Sequence, residues 1–423
     1  MGVRRIRCAK SAPSAAFRAP PSKSVTHRAL VAAALARGRS AVRNPLDADD
    51  TRVTREGLSA LGVPVTDESG TWVVEGRDGL VAGGGRLDLR ESGTSARLLL
   101  ALSALGEAPS VLDGDPRLRE RPIADLAEAL ERLGARVVPG DRSGKLPLEA
   151  GGVPPSGGRV EVPGDATSQY ASALLLVGSR LPHGLDLTMR LPAVSLPYVR
   201  ITERVLADFG VRVRNDGLRW LVAPTRYRGR EYVVEGDWSS ASYLLAAAAV
   251  TGGRVTVDGV SASSAQADAR LPAILRRTGC VVDVGRDRVE VRGGARWTGF
   301  DLDMNEAPDL VPTLAALAAF ADGPCVIRGV GHLRHKESDR LETIASNLNA
   351  VGRPASVVGD RLEIGAPAGR LHGARIATAS DHRIAMAFAV VGLRVEGVEI
   401  DDPGCVAKSH PGFWDQFEVL EGS

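Results

Sequence analysis

Residues 335–340 read HKESDR, six polar residues that place both signs of charge directly before LETIASNLNAVG, a stretch with the pattern of an amphipathic helix. A solvated helix end accounts for such a cluster. So does a site that moves protons beside bound anions, where a carboxylate donates or accepts and cations offset the charge. Cations recur in comparable places. Lys23, Arg28, Arg97 and Arg383 all fall within helix openings rich in Ser, Thr, Gly and Asp, residues that cap free backbone N–H groups. A helix N-terminus already attracts anions, so a cation there opposes the dipole and costs helix stability.

The loops RLRERPI (Arg117, Arg119, Arg121), HLRHKESDR (Arg334, Lys336, Arg340) and CVAKSHPG (Lys408) repeat the theme. Guanidinium forks suit phosphate and carboxylate, and lysine supplies a point charge. Any one loop reads as ordinary solvated surface; the whole set reads as a site for a small polyanion. Competing signatures are weak. GDRSGK (140–145) is too short between its glycines for a Walker loop, and VAGGGRLDL has no helix after it. His332 and His335 lack a companion set of metal ligands, and His27 and His382 read as hydrogen-bonding neighbours at helix starts.

These residues ride on a repeated framework. Six openings, starting at Ser22, Ser92, Ala166, Trp238, Ala307 and Ser380, each lead into an Ala/Leu-rich helix. They are spaced about 70 residues apart. Five of the six units then show a second helix ending in an LxxLG-like pattern: LSALGVPV, LERLGARV, LADFGVRV, LRRTGCVV and LNAVGRPA. Helix, strand, helix, strands is an α/β pattern. The sixth unit stops short of its final strands, and the N-terminal stretch VRRIRCAK is expected to supply one. The predicted division is therefore a discontinuous domain of residues 1–18 plus 235–423 (repeats four to six) and a domain of residues 19–234 (repeats one to three).

Bulk properties fit a globular protein of more than one core. The chain has 423 residues, 44% hydrophobic and 25% charged, with 53 basic against 51 acidic residues. That balance gives no reason to expect a nucleic-acid or anionic-membrane partner. The four cysteines, Cys8, Cys280, Cys325 and Cys405, are scattered and read as free thiols of a reducing compartment. The basic N-terminus has no apolar run after it, and YLLAAAAV (243–250) is too short to span a bilayer. A cytoplasmic location is expected.

The assembled motifs, PSKSVTHRAL, SGTSARLL, RLRERPI, TSQYASALLL, SLPYV, GDWSSASYLLAAA, PDLVPT, KESDRL, SDHRIAMA and DPGCVAKSHPGFW, resemble those of the enolpyruvyl transferase family, in the family's order and over nearly the whole chain. The resemblance implies two similar domains, each of three βαβαββ-type repeats about a pseudo-threefold axis (an inside-out α/β barrel), with ligands in the cleft between them. It implies transfer of the enolpyruvyl group of phosphoenolpyruvate to the 5-hydroxyl of shikimate 3-phosphate through a tetrahedral intermediate, by a monomer without cofactor or metal. By the same resemblance, Lys23, Ser24, Arg28, Thr167, Ser168, Gln169, Ser195, Tyr198, Asp309, Lys336 and His332 would bind shikimate 3-phosphate. Lys23, Gly93, Arg121, Gln169, Arg340, Arg383 and Lys408 would bind phosphoenolpyruvate. Asp309 would take the hydroxyl proton, Glu337 would protonate and later deprotonate the methylene carbon, and Lys23 would offset charge. Glu91 stands where many relatives have Asn. Two rivals carry different expectations. The UDP-N-acetylglucosamine enolpyruvyl transferases usually have a cysteine in the loop before Arg121, and DGDPRLRERPI has none. An RNA-end-binding repeat protein would show salt-sensitive RNA binding and no need of Asp309 or Glu337.

Overall fold

Six helices, one per repeat, are buried along nearly their whole length: Lys23–Leu35, Gly93–Ser103, Gln169–Gly178, Trp238–Thr251, Val311–Ala318 and His382–Gly392. Their composition explains it. A helix apolar on all sides has no face to offer water, and the alanines let neighbouring backbones approach closely. The computed structural model in which they are seen describes residues 2–79, 81–294 and 297–422. It divides into two compact units, Pro21–Val234 and Met1–Pro20 with Glu235–Ser423. Within each unit the three buried helices pack against one another and form the core.

Around them lie the second helices, Asp49–Ala60, Ala124–Arg132, Pro197–Asp208, Leu271–Arg277, Arg340–Ala350 and Phe413–Glu421, most with one buried face. The LxxLG pattern marks how the first five end. Gly62 and Gly134 take φ of 83° and 97°, a left-handed conformation that glycine adopts without strain. The residue after each glycine then donates its N–H back into the helix, as in Val63 to Leu58 (2.9 Å) and Ala135 to Leu130 (3.0 Å).

The sheets repeat too. In each unit the strand after the buried helix pairs in parallel on one side and antiparallel on the other. Residues 185–190, for example, run parallel to 158–163 and antiparallel to 219–222. In the sixth repeat the antiparallel partner of Glu399–Ile400 is Arg4–Arg5, with Arg4 opposite Ile400. The N-terminal segment thus supplies the strand that the truncated repeat lacks, and residues 14–18 go on to pair with 254–258 in the fourth. The strands form separate sheets, and none closes into a barrel among the described residues. No described helix is long and apolar enough to cross a membrane.

Candidate active site

Burial sorts the cations that the sequence leaves equivalent. Arg117, Arg119 and Arg334 lie outward in ion pairs with Glu120, the buried Asp113 and Asp339. Arg121, Arg340, Arg383 and Lys408 are 7%, 1%, 6% and 6% exposed. Buried charges persist only where something compensates them, and the compensation differs between the two units.

In the unit Glu235–Ser423 the centre is Arg340, the first residue of its helix. Its Nε donates to Asp381 Oδ2 (2.9 Å), Nη2 to Glu337 Oε2 (2.7 Å) and Nη1 to Asp309 Oδ1 (3.2 Å). Burial alone would lower the Arg340 pKa; the carboxylates of Asp381, Glu337 and Asp309 outweigh it and push the pKa up. Arg383 completes the set, with Nη2 donating to Asp309 Oδ2 at 2.8 Å. Asp309 therefore accepts from both arginines, one on each oxygen. Local structure explains the convergence. Asp339 caps the helix that Arg340 begins, accepting from Glu342 N, and Asp381 caps the helix carrying Arg383, accepting from Arg383 N at 3.0 Å. Asp309 lies in the turn Pro308–Leu310 that leads into the buried helix Val311–Ala318. The opening HKESDR is thus a helix start whose Glu337 and Arg340 turn inward, with Ser338 Oγ donating to Asp381 (3.2 Å).

Lys336 sits half-buried beside this set, and Lys408 is buried on the turn Pro403–Lys408 packed against the helix His382–Gly392. Burial, and then the Lys336 charge, push His332 down to about 3, so it is a neutral imidazole and no source of positive charge. Asp268 was not among the expected residues. It is 2% exposed, and its Oδ2 accepts from Ser239 Oγ while Oδ1 has no hydrogen-bond partner. Burial first, and Asp309 second, push its carboxyl up to about 7.

In the unit Pro21–Val234, Lys23 opens the first buried helix and donates to Asp50 Oδ2 at 2.9 Å. Arg28, one turn further, is a buried tie. Its Nε donates to Thr202 Oγ1 (2.7 Å), Nη1 to the Ser24 carbonyl (2.8 Å) and Nη2 to Ser172 Oγ and the Tyr198 carbonyl (3.2 Å each). Burial lowers its pKa to about 10, so it stays charged. Thr167 and Ser168 precede the helix Gln169–Gly178, and Gln169 reaches across to donate to Thr94 Oγ1 (3.1 Å). Ser195 holds φ of +57°, a strained position for a non-glycine residue, at the turn before the helix Pro197–Asp208. Gly93 lies so close under Arg121 that a Cβ there would be 2.5 Å from the guanidinium carbon. His27 donates to or accepts from Thr54 Oγ1 (2.7 Å), and burial pushes it down to about 3.

The expected residues thus gather into two sets, one per unit. Two anchors went unread in the sequence: Asp50 on Lys23 and Asp381 on Arg340. Both sit where an Asp is ordinary, Asp381 as a helix cap and Asp50 in a helix's first turn, so residue type alone gives no signal. Arg97, grouped above with anion-binding cations, instead turns its guanidinium onto backbone carbonyls. Chemically, the first set offers hydroxyls, helix N–H groups and cations, groups of the kind that bind phosphate and hydroxyl oxygens. The second offers two carboxylates held among guanidiniums.

Comparison with known proteins shows the family. The family model described as EPSP synthase (3-phosphoshikimate 1-carboxyvinyltransferase) matches residues 9–417. The 3-phosphoshikimate 1-carboxyvinyltransferase of Methanosphaerula palustris is 46% identical over 405 residues, covering 95% of each chain, and that of Syntrophobacter fumaroxidans is also 46% identical. Among solved structures, EPSP synthase from Acinetobacter baumannii superposes with a TM-score of 0.84 at 28% identity, covering 100% of this chain and 98% of its own. The enolpyruvyl transferase NikO from Streptomyces tendae shares the fold with a TM-score of 0.75 at 20% identity.

Proposed function

The chain belongs to the EPSP synthase family, and from that premise we propose how its residues divide the work of moving an enolpyruvyl group from phosphoenolpyruvate to the 5-hydroxyl of shikimate 3-phosphate. The reaction belongs to aromatic amino acid biosynthesis and releases 5-enolpyruvylshikimate 3-phosphate and inorganic phosphate. Thr167, Ser168, Ser195 and Tyr198 take the 3-phosphate and ring hydroxyls of shikimate 3-phosphate, with Ser24 and the Arg28 charge behind them and Lys336 and His332 on the same substrate. Arg121, Gly93, Gln169, Arg340, Arg383 and Lys408 take phosphoenolpyruvate, and Lys23 serves both ligands.

The observation that carries this reading is the Arg340–Asp309–Arg383 bridge with Glu337 on the same guanidinium. Phosphoenolpyruvate brings a phosphate and a carboxylate, the two anions that guanidinium forks bind best. As it takes the arginines, it displaces Asp309 and Glu337 from them. A carboxylate beside a guanidinium is a poor proton acceptor, because the neighbouring charge favours its ionised form. Release from the arginines therefore makes Asp309 a competent base as the substrate arrives. Asp309 removes the 5-hydroxyl proton as that oxygen attacks C2 and later gives it to the departing phosphate, while Glu337, protonated from solvent once Arg340 releases it, delivers that proton to C3, turning the methylene into a methyl group. The tetrahedral intermediate then expels phosphate, and Glu337 takes back one methyl proton to restore the double bond. Lys23, held by Asp50, and Lys408 offset the charge that moves onto the leaving phosphate.

Phosphate release on mixing the two substrates tests the assignment. Asp309→Ala and Glu337→Gln should each lower turnover by about two to four orders of magnitude with circular dichroism unchanged. Near-normal rates in either variant would remove that residue from its role. We further read the enzyme as a cytoplasmic monomer of 44.4 kDa; a larger species in sedimentation velocity would overturn the second point.

A further inference from the structure

Arg97 is buried to 2% exposure in the helix Gly93–Ser103, four residues after Gly93, and does not belong to the expected ligand set. Its Nη1 donates to the carbonyl of Gly93 at 2.9 Å, and its Nη2 donates to the carbonyl of Pro122. One planar group therefore joins two pieces of backbone far apart in sequence. The first is the turn that brings Gly93 under a guanidinium. The second is the segment leaving the short helix Pro116–Glu120, whose next residue, Arg121, owns that guanidinium. The gap between them is already minimal, since a single Cβ on Gly93 would fall 2.5 Å from the Arg121 guanidinium carbon.

The local chemistry favours a tie at this point. Proline at 122 has no N–H, so its carbonyl is the only backbone polar group it offers to fix the segment. The Gly93 carbonyl lies four residues before Arg97, within reach of its side chain on the same helix face. A fork with fixed geometry sets the distance between two carbonyls in a way that a flexible ammonium does not. The cost of burying a cation near a helix N-terminus needs an explanation, and two charge-assisted hydrogen bonds supply it.

We propose that Arg97 is a positioning residue for phosphoenolpyruvate: it pins the Gly93 turn to the Arg121–Pro122 segment and so sets the height of the Arg121 guanidinium over the glycine. It touches no substrate; it acts through Arg121. The inference rests on the reading of Arg121 as a phosphoenolpyruvate clamp, and the test separates the two.

Steady-state constants are measured for Arg97→Lys, Arg97→Gln, Arg121→Lys and the double variant Arg97→Lys/Arg121→Lys. KM values do not depend on how much of each preparation folds. The expected result is a rise of about tenfold or more in KM for phosphoenolpyruvate in both Arg97 variants, with KM for shikimate 3-phosphate changed by less than about threefold. The double variant should be no worse than Arg121→Lys alone, because both changes disable one device. Additive effects in the double variant would overturn the proposal, as would equal shifts in both KM values or none in either. Normal behaviour of Arg97→Lys beside an impaired Arg97→Gln would also overturn it, since charge rather than the fork would then be what matters. If Arg121→Lys itself leaves KM for phosphoenolpyruvate unchanged, the clamp reading falls and the tie falls with it.

Discussion

Replacing Asp309 by Asn should move binding and turnover in opposite directions. The carboxylate is 16% exposed at its side chain and holds Arg383 at 2.8 Å and Arg340 at 3.2 Å. On the proposed assignment, phosphoenolpyruvate must take both guanidiniums from it. Hydrogen bonds to charged groups contribute about 1.5–3 kcal/mol. The Arg340 contact is the longer one, and Arg340 keeps Glu337 and Asp381 in the variant. Asn also retains an acceptor oxygen. The competition removed is therefore that of one good bond, weakened by partial exposure, or about 1–2 kcal/mol. Phosphoenolpyruvate should bind Asp309→Asn roughly five- to thirtyfold more tightly, while kcat falls by about two to four orders of magnitude for want of the base. Titration calorimetry with phosphoenolpyruvate in the presence of shikimate 3-phosphate gives the first quantity, and single-turnover phosphate release gives the second. Unchanged or weaker phosphoenolpyruvate binding would refute the idea that Asp309 and the substrate compete for the same arginines, whatever happened to kcat.

Three further outcomes follow from particular contacts. Gly93→Ala should raise KM for phosphoenolpyruvate about tenfold or more by pushing the Arg121 guanidinium aside, with KM for shikimate 3-phosphate nearly constant; a change shared by both substrates would point to general damage instead. Burial pushes the Asp268 carboxyl up from its ordinary value of 3.8 to about 7, so the folded state binds its proton more tightly than the unfolded chain, and stability is lost as pH rises between these values. Asp268→Asn should therefore gain on the wild type in chemical denaturation from near pH 4 to near pH 7, by at most about 4 kcal/mol, and then level off; a constant offset across that range would show that Asp268 does not titrate there. Deleting residues 2–9 removes the strand opposite Glu399–Ile400 and the buried Ile6, which packs on Gly392, and should lower the melting temperature by on the order of 10 °C; an unchanged melting curve would count against the strand's role in closing the sixth repeat.

Much of the architecture is legible because its signals are local and repeated. A glycine after LxxL predicts a helix end, and Gly210, Gly279 and Gly352 take the left-handed φ that the pattern requires. The pairing of Arg4–Arg5 follows from counting strands in the sixth repeat and finding one short. Direction of side chains is less legible. RLRERPI presents Arg117, Arg119 and Arg121 with equal claims, yet Arg119 is taken by Asp113 from the preceding strand and only Arg121 turns inward. That choice depends on a partner in tertiary structure, which no spacing within the loop encodes. Asp381 and Asp50 escape for another reason: an Asp at a helix cap or in the first turn satisfies an ordinary helix-start preference, so its second duty toward Arg340 or Lys23 leaves no further mark. Arg97 shows the converse error, since a cation at a helix opening looks like an anion clamp until its carbonyl partners are seen.

The carboxylates also explain how the second unit can bury its cations at all. Arg340 at 1% exposure would cost several kcal/mol as an unpaired ion, and Asp381, Glu337 and Asp309 hold its charge with oxygens of the same kind that phosphoenolpyruvate carries. On the proposed assignment, substrate binding is an exchange of anions on standing guanidiniums rather than the filling of an unpaired positive site. Affinity becomes a difference between two similar sets of ion pairs, which keeps it moderate and leaves more of the interaction to the transition state, where phosphate gains charge as it leaves. Asp381 differs from the other two. It accepts from Arg340 Nε and Nη2, from Ser338 and from the Arg383 backbone, and it has 0% side-chain exposure. Those bonds fix it, so on the proposed assignment the oxygens that yield to substrate are those of Asp309 and Glu337, the two groups that the proposed chemistry needs released.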